Sequence, residues 1–265
     1  MQKELEIITS RKNAAITGAA SLADKKQRDK TGLYAFEGIK LLEDALRSGA
    51  DLERVFATER AYERYADILH GADFKVTLVT EEVYSKLSSE NAPQGVFTVA
   101  RKKQCAKKAY GKDSFVLFLD TVADPGNLGT IIRSADAFGV DTVFVGEGSA
   151  DIYGPKTVRA SMGSLFRVDV RVCSDIAADV KKLAEEGFDL YAAMLDKSSK
   201  NLCELELTHG KLGFIVGNEG HGVSDKVREA CGKSVIIPMC EGPESLNAAI
   251  SASILAWQVF YARGI

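Results

Sequence analysis

The sequence has few residues that could bind a metal ion and lacks the cysteine pairs that such sites use. It contains five cysteines and three histidines in 265 residues, and no two cysteines stand in a C-x-x-C arrangement. Structural and catalytic zinc sites are built from closely spaced clusters of these residues. Scattered cysteines are typical of reduced thiols inside a cell. We therefore expect a cytoplasmic protein without a catalytic metal.

Long apolar segments and a strong charge of either sign are also missing. No run of about 18 apolar residues occurs, and the first twenty residues lack the apolar core of a secretory signal. We therefore expect no membrane segment. The formal net charge of −3 argues against a protein that binds nucleic acid by bulk charge alone.

Positive charge is nevertheless concentrated in two segments. Residues 11–30 contain six Lys or Arg against two Asp, and residues 101–108 contain five cations and no acid. Such segments either contact phosphates or form solvated faces and linkers, and composition alone leaves both interpretations open.

The pattern of apolar runs predicts two domains. Residues 1–100 combine a basic helical start with short strands and helices, which indicates a small α/β recognition domain. Residues 101–113 are polar and basic, so they are the predicted linker. In residues 114–265, β-rich apolar runs alternate with helical segments, and the last helix is expected at 245–262. This alternation predicts an α/β fold with a parallel sheet.

The glycine-rich loops match neither common nucleotide-binding motif. Residues 217–222 read G-x-x-G-x-G, whereas the dinucleotide motif is G-x-G-x-x-G after the first strand, and no G-x-x-x-x-G-K-[ST] is present. A nicotinamide-dependent oxidoreductase is therefore disfavoured. Close glycines would still let a ligand contact backbone amides.

Three polar motifs follow predicted strands, where parallel sheets bind ligands. Taken singly, each has a structural alternative: Asn127 could cap a helix, Arg133 could be a surface cation, and Ser245 could cap the last helix with Asn247 in its first turn. Taken together, they resemble the SpoU/TrmH-type RNA ribose methyltransferases of the SPOUT superfamily. The matching motifs are N-x-G-x-x-x-R at 127–133, G-x-E-G-x-G at 217–222 and S-L-N at 245–247.

The resemblance covers nearly the whole chain and implies a fold and a reaction. It implies a catalytic domain with a deep trefoil knot, preceded by an RNA-binding domain, and transfer of a methyl group from S-adenosyl-L-methionine to a ribose 2′-hydroxyl. The implied catalytic residues are Arg133, Asn127, Glu219, Ser245 and Asn247. The implied cofactor-binding residues are Gly217, Asn218, Gly220, Ile237, Met239 and Leu246.

The resemblance also suggests a role for each catalytic residue. A guanidinium is a poor base, so Arg133 would stabilise the developing alkoxide, with Asn127 and Asn247 orienting it and the substrate. Glu219 would brace the loops, and Ser245 would hold the 2′-oxygen or cap the helix.

The implied partners are RNA and a second copy of the chain. Ribosomal RNA is the expected substrate, transfer RNA is the alternative, and a non-catalytic RNA-binding or ribosome-assembly protein on the same fold is a further one. The last helix is small and apolar around much of its circumference, which fits either a homodimer interface or an internal core helix.

Overall fold

The computed structural model describes residues 7–70, 73–103, 108–196, 198–218, 220–240 and 245–264. The described residues fall into two compact units, one within the ranges 1–104 and 153–159 and the other within the ranges 105–152 and 160–265. The predicted division into 1–100, 101–113 and 114–265 did not anticipate that residues 153–159 would belong with the amino-terminal unit. Within the described part of the chain, no helix is both long and apolar enough to cross a membrane.

The first unit is built on a five-stranded mixed sheet. Its strands lie in the order β1-β4-β3-β5-β2, where β5 runs antiparallel to both of its neighbours. The elements are β1 (Ile7–Ile8), α1 (Ala14–Ser21), α2 (Lys25–Thr31), β2 (Leu33–Glu37), α3 (Ile39–Arg47), β3 (Leu52–Thr58), α4 (Glu59–Arg64), α5 (Ala66–Leu69), β4 (Val76–Val79), α6 (Glu81–Leu87) and β5 (Val96–Arg101). Helices α1 and α6 pack against each other beside a core that includes Ile16, Phe56 and Val83.

In the first unit, the start of α3 and the turn before β5 are joined by a hydrogen bond. Gln94 Oε1 accepts a hydrogen bond from the Ile39 amide at 2.9 Å, at the start of α3. This bond satisfies a backbone donor that the helix itself leaves unpaired, and Gly38 provides no side-chain cap. Gly95 has φ +76°, and a Cβ there would lie 2.6 Å from Thr58 Oγ1. Glycine is therefore required at this turn.

The second unit is built on a seven-stranded sheet in which every pairing is parallel, in the order β10-β12-β9-β11-β6-β7-β8. The elements are β6 (Phe115–Leu119), α7 (Pro125–Ala137), β7 (Thr142–Gly146), α8 (Pro155–Ala160), β8 (Asp169–Cys173), α9 (Ile176–Glu185), β9 (Asp189–Ala193), β10 (Lys200–Asn201), β11 (Leu212–Val216), α10 (Asp225–Cys231), β12 (Ser234–Ile236) and α11 (Ala248–Arg263). All but one residue of α8 belong to the first unit. The predicted parallel α/β fold is confirmed, and the knot stays a prediction.

Three neighbouring strands in the interior of this sheet, which are β11, β6 and β7, are buried along their whole length. Such strands read as continuous apolar runs rather than as alternating ones. Phe118 stacks on Phe144 at 4.5 Å between ring centroids, which ties β6 to β7 within the core. This rigid sheet fixes where its carboxyl-terminal loops begin.

Candidate active site

A cavity of about 810 Å³ lies at the carboxyl ends of β9, β11 and β12 in the second unit. Parallel sheets bind ligands at this edge. Its walls come from the segments that follow these strands and from the start of α11. They are residues 193–196, 216–218, 220–223, 225, 228, 235, 237, 239, 245, 246, 248 and 251. This volume is in the range of sites for small molecules and cofactors.

The loop after β11 forms one wall, and its backbone is tightly folded. Asn218 and Gly222 exchange two backbone hydrogen bonds of 2.9 Å, which close the loop on itself. A Cβ on Gly217 would lie 2.1 Å from the carbonyl carbon of Gly222. Only glycine allows the two backbone segments to approach this closely. The Asn218 side chain also bonds to Thr121 O and to the Gly220 amide, at 3.0 and 2.8 Å.

The opposite wall includes the start of α11, where the sequence interpretation needs correction. The last helix begins at Ala248, and its N-cap is Asn247, whose Oδ1 accepts from the amides of Ala249 and Ile250. The alternative in which Ser245 caps the helix is therefore wrong. Ser245 is exposed and lines the cavity instead.

Asn127 is likewise not a helix cap. Asp124 caps α7, and its Oδ1 accepts from the Asn127 amide at 2.7 Å. The Asn127 side chain instead bonds to Asn247, whose Nδ2 donates to Asn127 Oδ1 at 3.1 Å. The structure thus joins residues 120 positions apart, one from the first motif and one from the third.

Arg133 is exposed and has no ion-pair or hydrogen-bond partner among the residues that the structure describes. It lies six residues after Asn127 on α7, a rise of about 9 Å along the helix axis, and it does not line the cavity. Its guanidinium therefore stays free to bind an anion.

The structure brings most of the predicted residues together. Gly217, Asn218, Gly220, Ile237, Met239 and Leu246, the six residues predicted to bind the cofactor, all line the cavity. Asn127 and Asn247 meet beside it, and Glu219 lies outside the described residues. Their roles stay predictions.

Sequence reasoning missed the part of the cavity that follows β9. Leu195, which is 57% exposed, and Asp196 line it. The Ser198 amide donates to Asp196 at 3.0 Å, and this bond holds the pKa of the Asp196 carboxyl below its usual value. Arg228 of α10 is a further charged residue at the cavity. These residues reach the cavity because β9 pairs with β11, and the sequence does not show that pairing.

A parallel α/β sheet with a cavity of this size at its carboxyl edge is typical of a domain that binds a small molecule or cofactor. The chain belongs to the SpoU rRNA Methylase family, whose model matches residues 114–257, and the MRM3-like substrate binding domain matches residues 13–98. The suspected family is therefore confirmed.

Relatives match along nearly the whole chain. The 23S rRNA (guanosine(2553)-2′-O)-methyltransferase RlmP of Bacillus subtilis is 33% identical, over 97% of this chain and 99% of its own. The AdoMet-bound rRNA methyltransferase from Sinorhizobium meliloti is 27% identical with a TM-score of 0.86, over 97% of this chain and 98% of its own. The SpoU methyltransferase AviRb from Streptomyces viridochromogenes, in complex with AdoMet, is 25% identical with a TM-score of 0.86. The match covers 95% of this chain and 98% of the AviRb chain.

Proposed function

We propose that the protein methylates a ribose 2′-hydroxyl of ribosomal RNA with S-adenosyl-L-methionine as the methyl donor. The observation that carries this proposal is the cavity, which gathers residues of the second and third motifs of an RNA methyltransferase family at the edge of one sheet. The reaction and the RNA class follow the names of the relatives, which include a ribosomal RNA 2′-O-methyltransferase of matching length.

The cavity suits this cofactor in size and in lining. Apolar side chains, among them Val216, Val223, Ile237 and Leu246, provide flat contacts for an adenine ring. The glycines of the loop after β11 leave backbone groups accessible to a ribose. The ionised carboxylate of Asp196 adds negative charge that attracts a cationic ligand.

The cofactor, when bound, supplies an electrophilic methyl group on a sulfonium. The protein must hold the ribose hydroxyl in line with it and stabilise the charge that develops on the oxygen. Ser245 lies at the cavity and can hold that oxygen. The Asn127–Asn247 pair fixes the substrate side, and Arg133, which has a permanent charge, stabilises the alkoxide or an adjacent phosphate.

The homodimer remains a proposal, and the surface of α7 and α11 supports it. The two helices run parallel, with Ser134 Oγ 2.7 Å from Ser253 Oγ and Phe138 packed on Phe260. Each exposed residue of α7 stands one position before a residue that faces α11. Each exposed residue of α11 stands one position after a residue that faces α7. In parallel helices, these two sides face the same way.

That shared face combines apolar surface with Arg133. Trp257 and Tyr261 are 46% and 69% exposed and stack on each other at 5.2 Å between ring centroids. Ile250 adds a further apolar side chain, 50% exposed. Contiguous exposed apolar surface of this kind marks interaction sites. We propose that a second copy of the chain covers it, so that Arg133 acts at the dimer interface.

RNA binding is proposed for a basic surface of the first unit. The two cationic segments of the sequence meet there, since Asp29 on α2 pairs with Lys25 at 3.2 Å and with Lys102 at 2.7 Å. Three exposed lysines of α2, which are Lys25, Lys26 and Lys30, belong to this surface. They are placed to contact phosphates. The cytoplasmic location stays a prediction from the cysteine pattern.

Replacement of Arg133 by Ala tests the catalytic part of the proposal. Loss of a group that stabilises a developing oxyanion lowers kcat by about 10²–10³-fold. We expect cofactor affinity, measured by calorimetry, to stay close to that of the unchanged protein, because Arg133 does not line the cavity. Lys181→Ala, at an exposed position of α9, is the control. A parallel loss of cofactor binding would instead make Arg133 a binding or folding residue.

A further inference from the structure

Asp120 is the one acidic side chain that is buried in the part of the chain that the structure describes, at 5% exposure. It follows the last residue of β6, and its Oδ2 accepts a hydrogen bond from the Ser224 amide at 2.7 Å. Its own amide donates to Val216 O at 2.8 Å, at the end of the neighbouring strand β11. Burial of a carboxylate costs free energy unless such hydrogen bonds compensate for its lost hydration. The partners of Asp120 therefore indicate its role.

The hydrogen bond to Ser224 connects Asp120 to a wall of the cavity. Ser224 directly follows the residues after β11 that contribute one wall of the cavity, which are 217, 218 and 220–223. A charged acceptor forms a stronger hydrogen bond with an amide than a neutral one does. Asp120 therefore fixes the far end of this wall to the carboxyl end of β6, the strand next to β11.

The near end of the same wall is held by the next residue of the chain. Thr121 O accepts from Asn218 Nδ2 at 3.0 Å. Thr121 has φ +60°, which is uncommon for a residue with a side chain and costs conformational energy. Two consecutive residues, Asp120 and Thr121, thus anchor the two ends of the wall. They also begin the loop that leads to α7, the helix that carries Asn127.

We propose that Asp120 is a positioning residue that holds the cavity wall formed by residues 217, 218 and 220–223 in the shape that binds the methyl donor. This rests on the proposed function, because it takes the cavity as the cofactor site. Asp120 does not line the cavity, so it acts through the loop rather than by contact with a ligand.

The test measures S-adenosyl-L-methionine affinity of the purified full chain by calorimetry, together with thermal stability and hydrogen exchange of segment 217–224 without ligand. For Asp120→Ala we expect roughly tenfold or more weaker binding and faster exchange in the segment, since the variant cannot form the charge-assisted bond. With saturating RNA, KM for the donor should rise while kcat stays within about twofold. Asp120→Asn keeps an acceptor oxygen and should recover most of the affinity.

The matched control is Asp141→Ala. Asp141 Oδ2 accepts from the Phe115 amide at 2.9 Å, the same type of bond at the opposite, amino-terminal end of β6. Its removal should lower stability while leaving donor affinity within about twofold, as expected for sites that are not coupled.

Ser224→Pro removes the same hydrogen bond from the donor side. Ser224 has φ −62°, which suits proline, so this variant keeps the test decisive if Asp120→Ala does not fold. We expect it to weaken donor binding as Asp120→Ala does. Equal affinity of either folded variant and the unchanged protein, or an equal loss of affinity in Asp141→Ala, would overturn the inference. Failure of the unchanged protein to bind the donor would refute the proposed function instead.

Discussion

Gly217→Ala is the change whose effect the structure defines most closely. The new Cβ would lie 2.1 Å from the Gly222 carbonyl carbon and 2.3 Å from the Val223 amide nitrogen, whereas ordinary contacts begin at 3.4 Å. Because the obstructing atoms are backbone, the loop must move by about 1.3 Å, the difference between 3.4 and 2.1 Å. Overpacking strain of about 1–3 kcal/mol, where it falls on the shape that binds the ligand, corresponds to roughly 5–150-fold in a binding constant. We therefore expect the dissociation constant of S-adenosyl-L-methionine to rise by about that factor.

Calorimetry of the folded variant measures this effect, with circular dichroism as a check of the fold. Overpacking should cost about 1–3 kcal/mol of the free energy of unfolding, which a domain of this size can survive. Gly111→Ala is the control, because the nearest atom to its new Cβ is 3.9 Å away. If Gly217→Ala bound the cofactor as the unchanged protein does, the loop after β11 would not be the wall of the cofactor site.

Three further outcomes are expected. Asn247→Ala should lower the free energy of unfolding by about 1 kcal/mol, because the helix cap is lost. Asn247→Asp keeps the cap but cannot donate a hydrogen bond to Asn127. Its stability in thermal unfolding should therefore match that of the unchanged protein, while its turnover stays low. Changing the three exposed lysines of α2 to Gln should reduce the slope of log affinity for RNA against log salt by roughly one for each phosphate that the variant no longer binds, and Lys112→Gln, at a 93% exposed side chain of the other unit, should leave it unchanged. Trp257→Glu places a charge on the apolar face of α11 and should yield monomers in sedimentation analysis; a dimer that persists would exclude this face as the interface.

Local sequence patterns predicted the elements well where propensity and burial agree. The apolar runs that alternate with helical segments in residues 114–265 predicted a parallel sheet, and β6, β7 and β11 are buried strands of that sheet. Helix α6 has a weak signal in the sequence, because it is short and lies between two strongly apolar strands, β4 and β5. Its start was nevertheless marked by Thr80 as N-cap and by Glu81 and Glu82 in the first turn.

The features that sequence could not provide depend on contacts between distant residues. Which of Ser245 and Asn247 caps α11 is decided by where the chain turns, and both residue types suit an N-cap. The meeting of Lys102 with Asp29 and the burial of Asp120 against Ser224 arise from strand order. No local pattern encodes that order, so the basic surface and the anchor of the loop became visible only in the structure.

Transfer of a labelled methyl group from S-adenosyl-L-methionine to purified, unmodified ribosomal RNA is the decisive test of the proposed function. Transfer RNA serves as the competing substrate, and alkali-resistant linkages then locate the modified ribose. We expect incorporation at a ribose 2′-oxygen of ribosomal RNA, at an initial rate that falls by about 10²–10³-fold with Arg133→Ala. Incorporation into a base, or into transfer RNA alone, would contradict the proposal.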